Sequence, residues 1–72
     1  MQVIHLDVYG RFDLMIERRT DQVSIFRSLS DGKHLPVSDL HIPTDADVDE
    51  IIDLVDIAFH QFAGPGDAVR VR

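Results

Sequence analysis

Apolar and polar residues alternate strictly from Val3 to Tyr9, with Ile4, Leu6 and Val8 on one side and Val3, His5, Asp7 and Tyr9 on the other. A period of two marks a strand with one buried face. Gly10-Arg11 breaks the pattern, and Phe12 to Glu17 resumes it with Phe12, Leu14 and Ile16 in phase. The reading is a hairpin with strands over 2–9 and 12–18. Directly opposed residues of an antiparallel pair share a face, which constrains the register. A two-residue loop at Gly10-Arg11 would set Val8 against Asp13 and Ile4 against Glu17, mixing apolar with acidic, so an odd loop is required. Taking Gly10-Arg11-Phe12 opposes Val8 to Leu14, Leu6 to Ile16 and His5 to Glu17, with Gly10 supplying a positive φ.

A third alternating run, Val23 to Leu29, follows the polar stretch from Arg18 to Gln22 and predicts a strand over 23–29. Ser30-Asp31-Gly32-Lys33 contains Asp-Gly, a strong hairpin signal. A short fourth strand over 34–37 fits, held to a sheet edge by Pro36, which cannot donate to a ladder. The period then changes: Val48, Ile51, Ile52, Val55, Ala58, Phe59 and Phe62 recur at three- and four-residue steps, one wide apolar stripe of a helix over 45–62. Thr44 is the expected N-cap after Pro43, with Asp47 at the third helical position of a weakened capping box. Gly64-Pro65-Gly66 ends the helix, and the tail over 63–72 is either a short strand through Val69 and Val71 or frayed.

These elements give an α+β domain: a three- to four-stranded antiparallel sheet with one amphipathic helix on one face, in the order β-β-β-(β)-α with a short C-terminal strand as an option. At 72 residues the chain has room for one domain and a modest core. It has no cysteine, which excludes disulfides and thiolate zinc sites and leaves self-association or a partner as the supplement such small domains often need. No run nears the roughly 20 apolar residues of a membrane span, and the N-terminus lacks the basic leader of a signal peptide, so a cytoplasmic location and no membrane contact are expected.

Charge changes the picture at the helix. Of 13 acids, six (Asp45, Asp47, Asp49, Glu50, Asp53 and Asp56) fall between Thr44 and Phe62, where there is no Lys or Arg; the remaining seven are balanced by seven bases. The helix therefore carries the whole net charge of −6. Acids of the first turns interact favourably with the helix dipole, but Asp53 and Asp56 lie beyond its reach. The exposed acids Asp49, Asp53 and Asp56 read either as a solvated face or as a docking face for a partner with a basic surface. The bases form no run longer than two, and the net sign is wrong for nucleic acid.

With one helix on one face, the other face of the sheet still carries Val3, Tyr9, Met15 and Phe26. A two-residue Asp31-Gly32 turn would add Val37 and Leu35 opposite Phe26 and Ser28. This second strip must be covered by the Val69/Val71 tail, by a second copy in a homodimer, or by another partner.

Chemistry has little support in the sequence. Asp56 and His60 stand four apart on the helix and could share a metal ion, with His34 or His41 as a further ligand, and a small-molecule or metal-binding domain is the alternative reading. Ser24, Ser28, Ser30 and Ser38 sit in no nucleophile elbow, and the glycines form no phosphate loop. Exposed carboxylates suit no acid–base role, and so small a chain should lack a pocket of several hundred Å³. No cofactor and no enzymatic activity are expected.

Taken together, Val8-Tyr9-Gly10-Arg11, Asp31-Gly32-Lys33-His34, Ile42-Pro43, Phe59-His60-Gln61 and Pro65-Gly66 resemble the landmarks of a small uncharacterised bacterial domain family of similar length. Gln61 departs from the Glu that pattern favours after the His. The resemblance implies a bacterial cytoplasmic source; as the family has no assigned activity, it transfers no catalytic or binding residue. The function expected is a non-enzymatic protein-interaction module, self-associating through the sheet or docking a basic partner with the acidic helix.

Overall fold

The alternating segments form strands because each places one apolar row where the helix can bury it. In the computed structural model, which describes residues 1–29 and 31–72, β1 (Gln2–Val8), β2 (Phe12–Arg18), β3 (Val23–Ser28), β4 (His34–Pro36) and β5 (Val69–Val71) are joined by one helix, α1 (Val48–Phe59), and a 3-10 turn, His60–Phe62. Among the described residues the sheet has five antiparallel strands in the order β4-β3-β2-β1-β5. The α+β class holds, and the strand count rises because the C-terminal option is realised.

Ile4, Leu6, Val8, Phe12, Leu14, Ile16, Val23 and Ile25 line the helix-facing side as expected, with Leu6, Val8, Leu14 and Ile16 fully buried against Ile51 and Val55. Ile42 and Ala46, in the segment leading into the helix, also join the core. On the helix, Leu54 packs at the core margin, whereas Ala58 is exposed and Phe62 half exposed; the predicted stripe is rotated slightly towards Leu54.

Three local readings are corrected. The first hairpin loop is odd, as the pairing demanded, but it is Tyr9-Gly10-Arg11: Val8 opposes Phe12, Leu6 opposes Leu14, and His5 opposes Met15 rather than Glu17. Tyr9 and Gly10 have φ of 59° and 69°, and the Arg11 N–H donates to the Val8 carbonyl. Positive φ at both central residues is the type I′ pattern that matches strand twist. A tyrosine there costs on the order of 1 kcal/mol of backbone energy, so tertiary contacts must hold it.

In the second hairpin, Phe26 opposes Pro36 and Ser28 opposes His34, one residue away from the two-residue turn. The Leu29 N–H donates to the Lys33 carbonyl and the Gly32 N–H to that of Leu29, with Gly32 at φ 87°, the geometry of a longer loop closed by a left-handed glycine. Leu35 consequently turns to the helix side, opposite Arg27, and leaves the second strip. Ser30, part of that turn and one of the serines considered for catalysis, lies outside the described residues.

The helix starts at Val48, and its N-cap is Asp47, not Thr44: the Asp47 carboxylate accepts the Glu50 N–H at 2.8 Å while Asp47 itself is extended. Both residue types cap well. Burial of Ile42 and Ala46 decides between them, because it fixes a turn through Thr44 and Asp45, with the Ala46 N–H on the Pro43 carbonyl, and delays the first helical residue. At the other end Pro65 and Gly66 form a type II turn, with Gly66 at φ 82° and the Asp67 N–H on the Gly64 carbonyl, that aims the chain back along β1. Among the described residues no helix is long and apolar enough to cross a membrane.

Replacing Asp47 with Ala is expected to lower unfolding free energy by about 1 kcal/mol. Thr44→Ala should change it by under about 0.5 kcal/mol. Urea titrations followed by circular dichroism decide; equal costs would return the cap to Thr44.

Candidate functional site

The outer face of the sheet is fixed by register. Val3, His5 and Asp7 of β1 lie beside Glu17, Met15 and Asp13 of β2, which lie beside Ser24, Phe26 and Ser28 of β3, and Phe26 and Ser28 pair with Pro36 and His34 of β4. Val3, Met15, Phe26 and Pro36 therefore make a diagonal apolar strip across four strands, since diagonal neighbours on one face are within side-chain reach. Val3 and Pro36 are exposed, and Met15 and Phe26 half-buried. One predicted cover is removed: Val69 and Val71 sit in β5 at the edge of β1, opposite Val8 and Leu6 on the helix side. Charges frame the strip, with Glu17 towards one end and Asp7, Asp13, Arg70 and Arg72 towards the other, where Arg72 pairs with Asp13 and its guanidinium is held more basic than usual by that hydrogen bond.

Tyr9 does not belong to this strip. Placed in the turn with positive φ, it is 6% exposed and reaches the helix: its phenol donates to the Asp56 carboxylate at 2.6 Å and lies 3.1 Å from the Asp56 carbonyl. Burial first, and then the hydrogen bond to Asp56 and that residue's charge, push the phenol up to about 12. This supplies the structural role for Asp56 that its position on the helix did not reveal. The predicted acidic face is thereby reduced to the exposed Asp49 and Asp53, with Asp56 partly buried and engaged. Ile57, 75% exposed, stands one turn after Asp53 on the same side.

The same engagement weakens the metal reading, since Asp56 is turned to Tyr9 while His60 is exposed. Among the described residues no three His, Asp or Glu side chains come together as a metal-ligating group. The expectation of no depression of several hundred Å³ is corrected by surface grooves of about 470 and 600 Å³, lined largely by charged and polar residues such as Asp7, Arg11 and Arg72, or Arg18, Arg19 and Asp47.

One assembly escaped the sequence reading. Phe12, Phe59 and Phe62 meet where the helix ends over the first hairpin, with the Phe12 and Phe59 rings edge to face at 5.2 Å. Arg27 lays its guanidinium over the Phe12 ring at 4.3 Å, and Arg11 completes a notch of about 170 Å³. The sign was present in the strand period, because Arg27 follows Val23 and Ile25 in phase and so belongs to the helix-facing side. Its neighbours on the helix and the turn could not be read from one strand.

For the phenol, folding favours the protonated form, so its stabilisation is complete below pH about 10 and is lost as the pH rises through about 12. Tyr9→Phe should cost about 1 kcal/mol at neutral pH. As Tyr9 is the sole tyrosine, the tyrosinate absorbance should titrate near 12 in the folded chain; a midpoint near 10 with the fold intact would overturn the Asp56 pairing. Compared with protein-family models, curated proteins and solved structures, the chain matches none.

Proposed function

We propose that this domain is a non-enzymatic, cytoplasmic protein-interaction module that pairs with a second copy of itself through the outer face of the sheet. The observation behind this reading is the strip Val3, Met15, Phe26 and Pro36, left open on a face opposite the helix because β5 extends the edge instead of covering it. Such a face is the part of a small domain with most to gain from burial, at about 25 cal/mol for each Å² removed from water.

A second copy suits the face because Met15, Phe26 and Pro36 are directly opposed on neighbouring strands and form a straight apolar row. A two-fold axis running across the strands through Met15 and Phe26 returns the row Met15, Phe26 and Pro36 onto itself. That is an isologous contact, in which each copy gives and receives the same interactions. Aligned packing of two sheets at about 10 Å needs only the modest side chains present there.

In high salt, light scattering coupled to size-exclusion chromatography is expected to give twice the chain mass for the native protein. Met15→Thr combined with Phe26→Thr keeps residues that favour strands and should give the monomer mass in the same high-salt buffer with an unchanged circular dichroism spectrum. In that high-salt buffer, a native chain that stays monomeric at high concentration, or a folded double variant that stays dimeric, sinks the proposal.

A further inference from the structure

The aromatic notch has the chemistry of a receptor for one apolar side chain with a carboxylate beside it. Its volume, about 170 Å³, is below that of ordinary small-molecule sites and suits a single side chain. Its floor is Phe12, Phe59 and the half-exposed Phe62; its rim is Arg11 and Arg27. The three nearby arginines are not equivalent. Arg72 is paired with Asp13, and Arg11 is bridged loosely to Asp67 at 3.7 Å, whereas Arg27 has no ion pair among the described residues. Stacking on Phe12 holds the Arg27 guanidinium in place with its edge free, which favours two-point binding of a carboxylate.

The chain itself carries the matching element. All its excess negative charge lies in the segment around α1, and on the solvent side of that helix Asp53 and Ile57 stand one turn apart, an exposed carboxylate next to an exposed aliphatic side chain. With Ile57 75% exposed and no base among the residues from Thr44 to Phe62, this row lacks a local partner of either kind within its own segment.

We propose that the notch formed by Arg11, Phe12, Arg27, Phe59 and Phe62 receives the Asp53–Ile57 row of a second copy, with Ile57 against the phenylalanines and Asp53 on Arg27. Phe59 lies on the core side of the helix and Ile57 on its solvent side, so the two surfaces point apart and the contact is head-to-tail. Such a contact leaves one donor and one acceptor surface free on each pair and extends into rings or chains. It is independent of the outer sheet face.

The test uses the chain carrying Met15→Thr and Phe26→Thr, in which the sheet face is silenced, so failure of one contact cannot be taken for failure of the other. Sedimentation velocity is expected to show reversible association weakened about tenfold or more on going from low to high salt. Arg27→Glu and Asp53→Arg, each added alone, should abolish it, and Ile57→Ala, at a position too exposed to matter for folding, should weaken it about tenfold. Mixing the Arg27→Glu and Asp53→Arg chains should then yield a one-to-one complex and nothing larger, since each retains one competent surface. A parent chain that is monomeric at low salt, single variants that associate like the parent, or a mixture that stays monomeric would each overturn the proposal. So would saturation of the notch by phenylacetate that leaves association untouched.

Discussion

Tyr9 is the residue on which the arrangement of the elements depends. Its backbone sits at φ 59° in the first turn, its N–H donates to the Ala68 carbonyl just before β5, and its phenol donates to Asp56 on α1. One side chain and one amide thus tie the hairpin, the helix and the C-terminal strand together. The conformational cost of a left-handed tyrosine is on the order of 1 kcal/mol, similar in size to a single net hydrogen bond, so the two hydrogen bonds and near-complete burial are enough to hold it there. Moving the turn by one residue would relieve the strain but would withdraw the phenol from the helix and the amide from Ala68.

That dependence explains which parts of the fold could be read in advance. The faces of β1, β2 and β3 follow from period-two alternation alone, and the odd parity of the first loop follows from keeping acids off the buried rows. The position of the loop does not, because Tyr9 rather than Phe12 enters it for reasons that lie on α1 and before β5. Helix N-capping shows the same limit. Thr44 and Asp47 are equivalent as isolated caps, and the buried Ile42 and Ala46, which no local pattern marks, select the second. Where the turn chemistry is self-contained, as in Gly64-Pro65-Gly66, it directs the chain unambiguously, yet it does not by itself say which edge the following strand will find.

The candidate surfaces divide along the same line. Val3, Met15 and Phe26 are visible in the sequence because a strand's second face can be counted off residue by residue, whereas Tyr9 leaves that face only through the turn's left-handed backbone. The acidic helix separates into acids with different duties: Asp47 caps, Asp49 and Glu50 sit in the first turn, Asp56 receives the phenol, and Asp53 alone combines exposure with distance from both the dipole and Tyr9. The notch needs the hairpin turn, the end of β3 and the end of α1 at once, so three separately unremarkable stretches of sequence acquire a joint chemistry only in the folded chain.

The edges of the sheet bear on how copies of this domain can meet. An open edge is a template for another strand, and proteins blunt such edges by keeping them short and by adding charge or proline. Both outer strands here are three residues long; β4 carries Pro36 and follows Lys33, while β5 presents Arg70 and leads into Arg72. Pro36 cannot donate to a further ladder, and two copies of β5 laid edge to edge would bring Arg70 and Arg72 of each chain together. Association by strand addition is therefore opposed at both ends of the sheet. What stays open to another chain are faces: the outer side of the sheet, where the apolar strip crosses four strands, and the end of the helix layer, where two arginines frame three phenylalanines. In the proposed assembly an edge-protected sheet with one bare face is joined through side chains, at positions where a single substitution would switch the contact off without touching the backbone ladder.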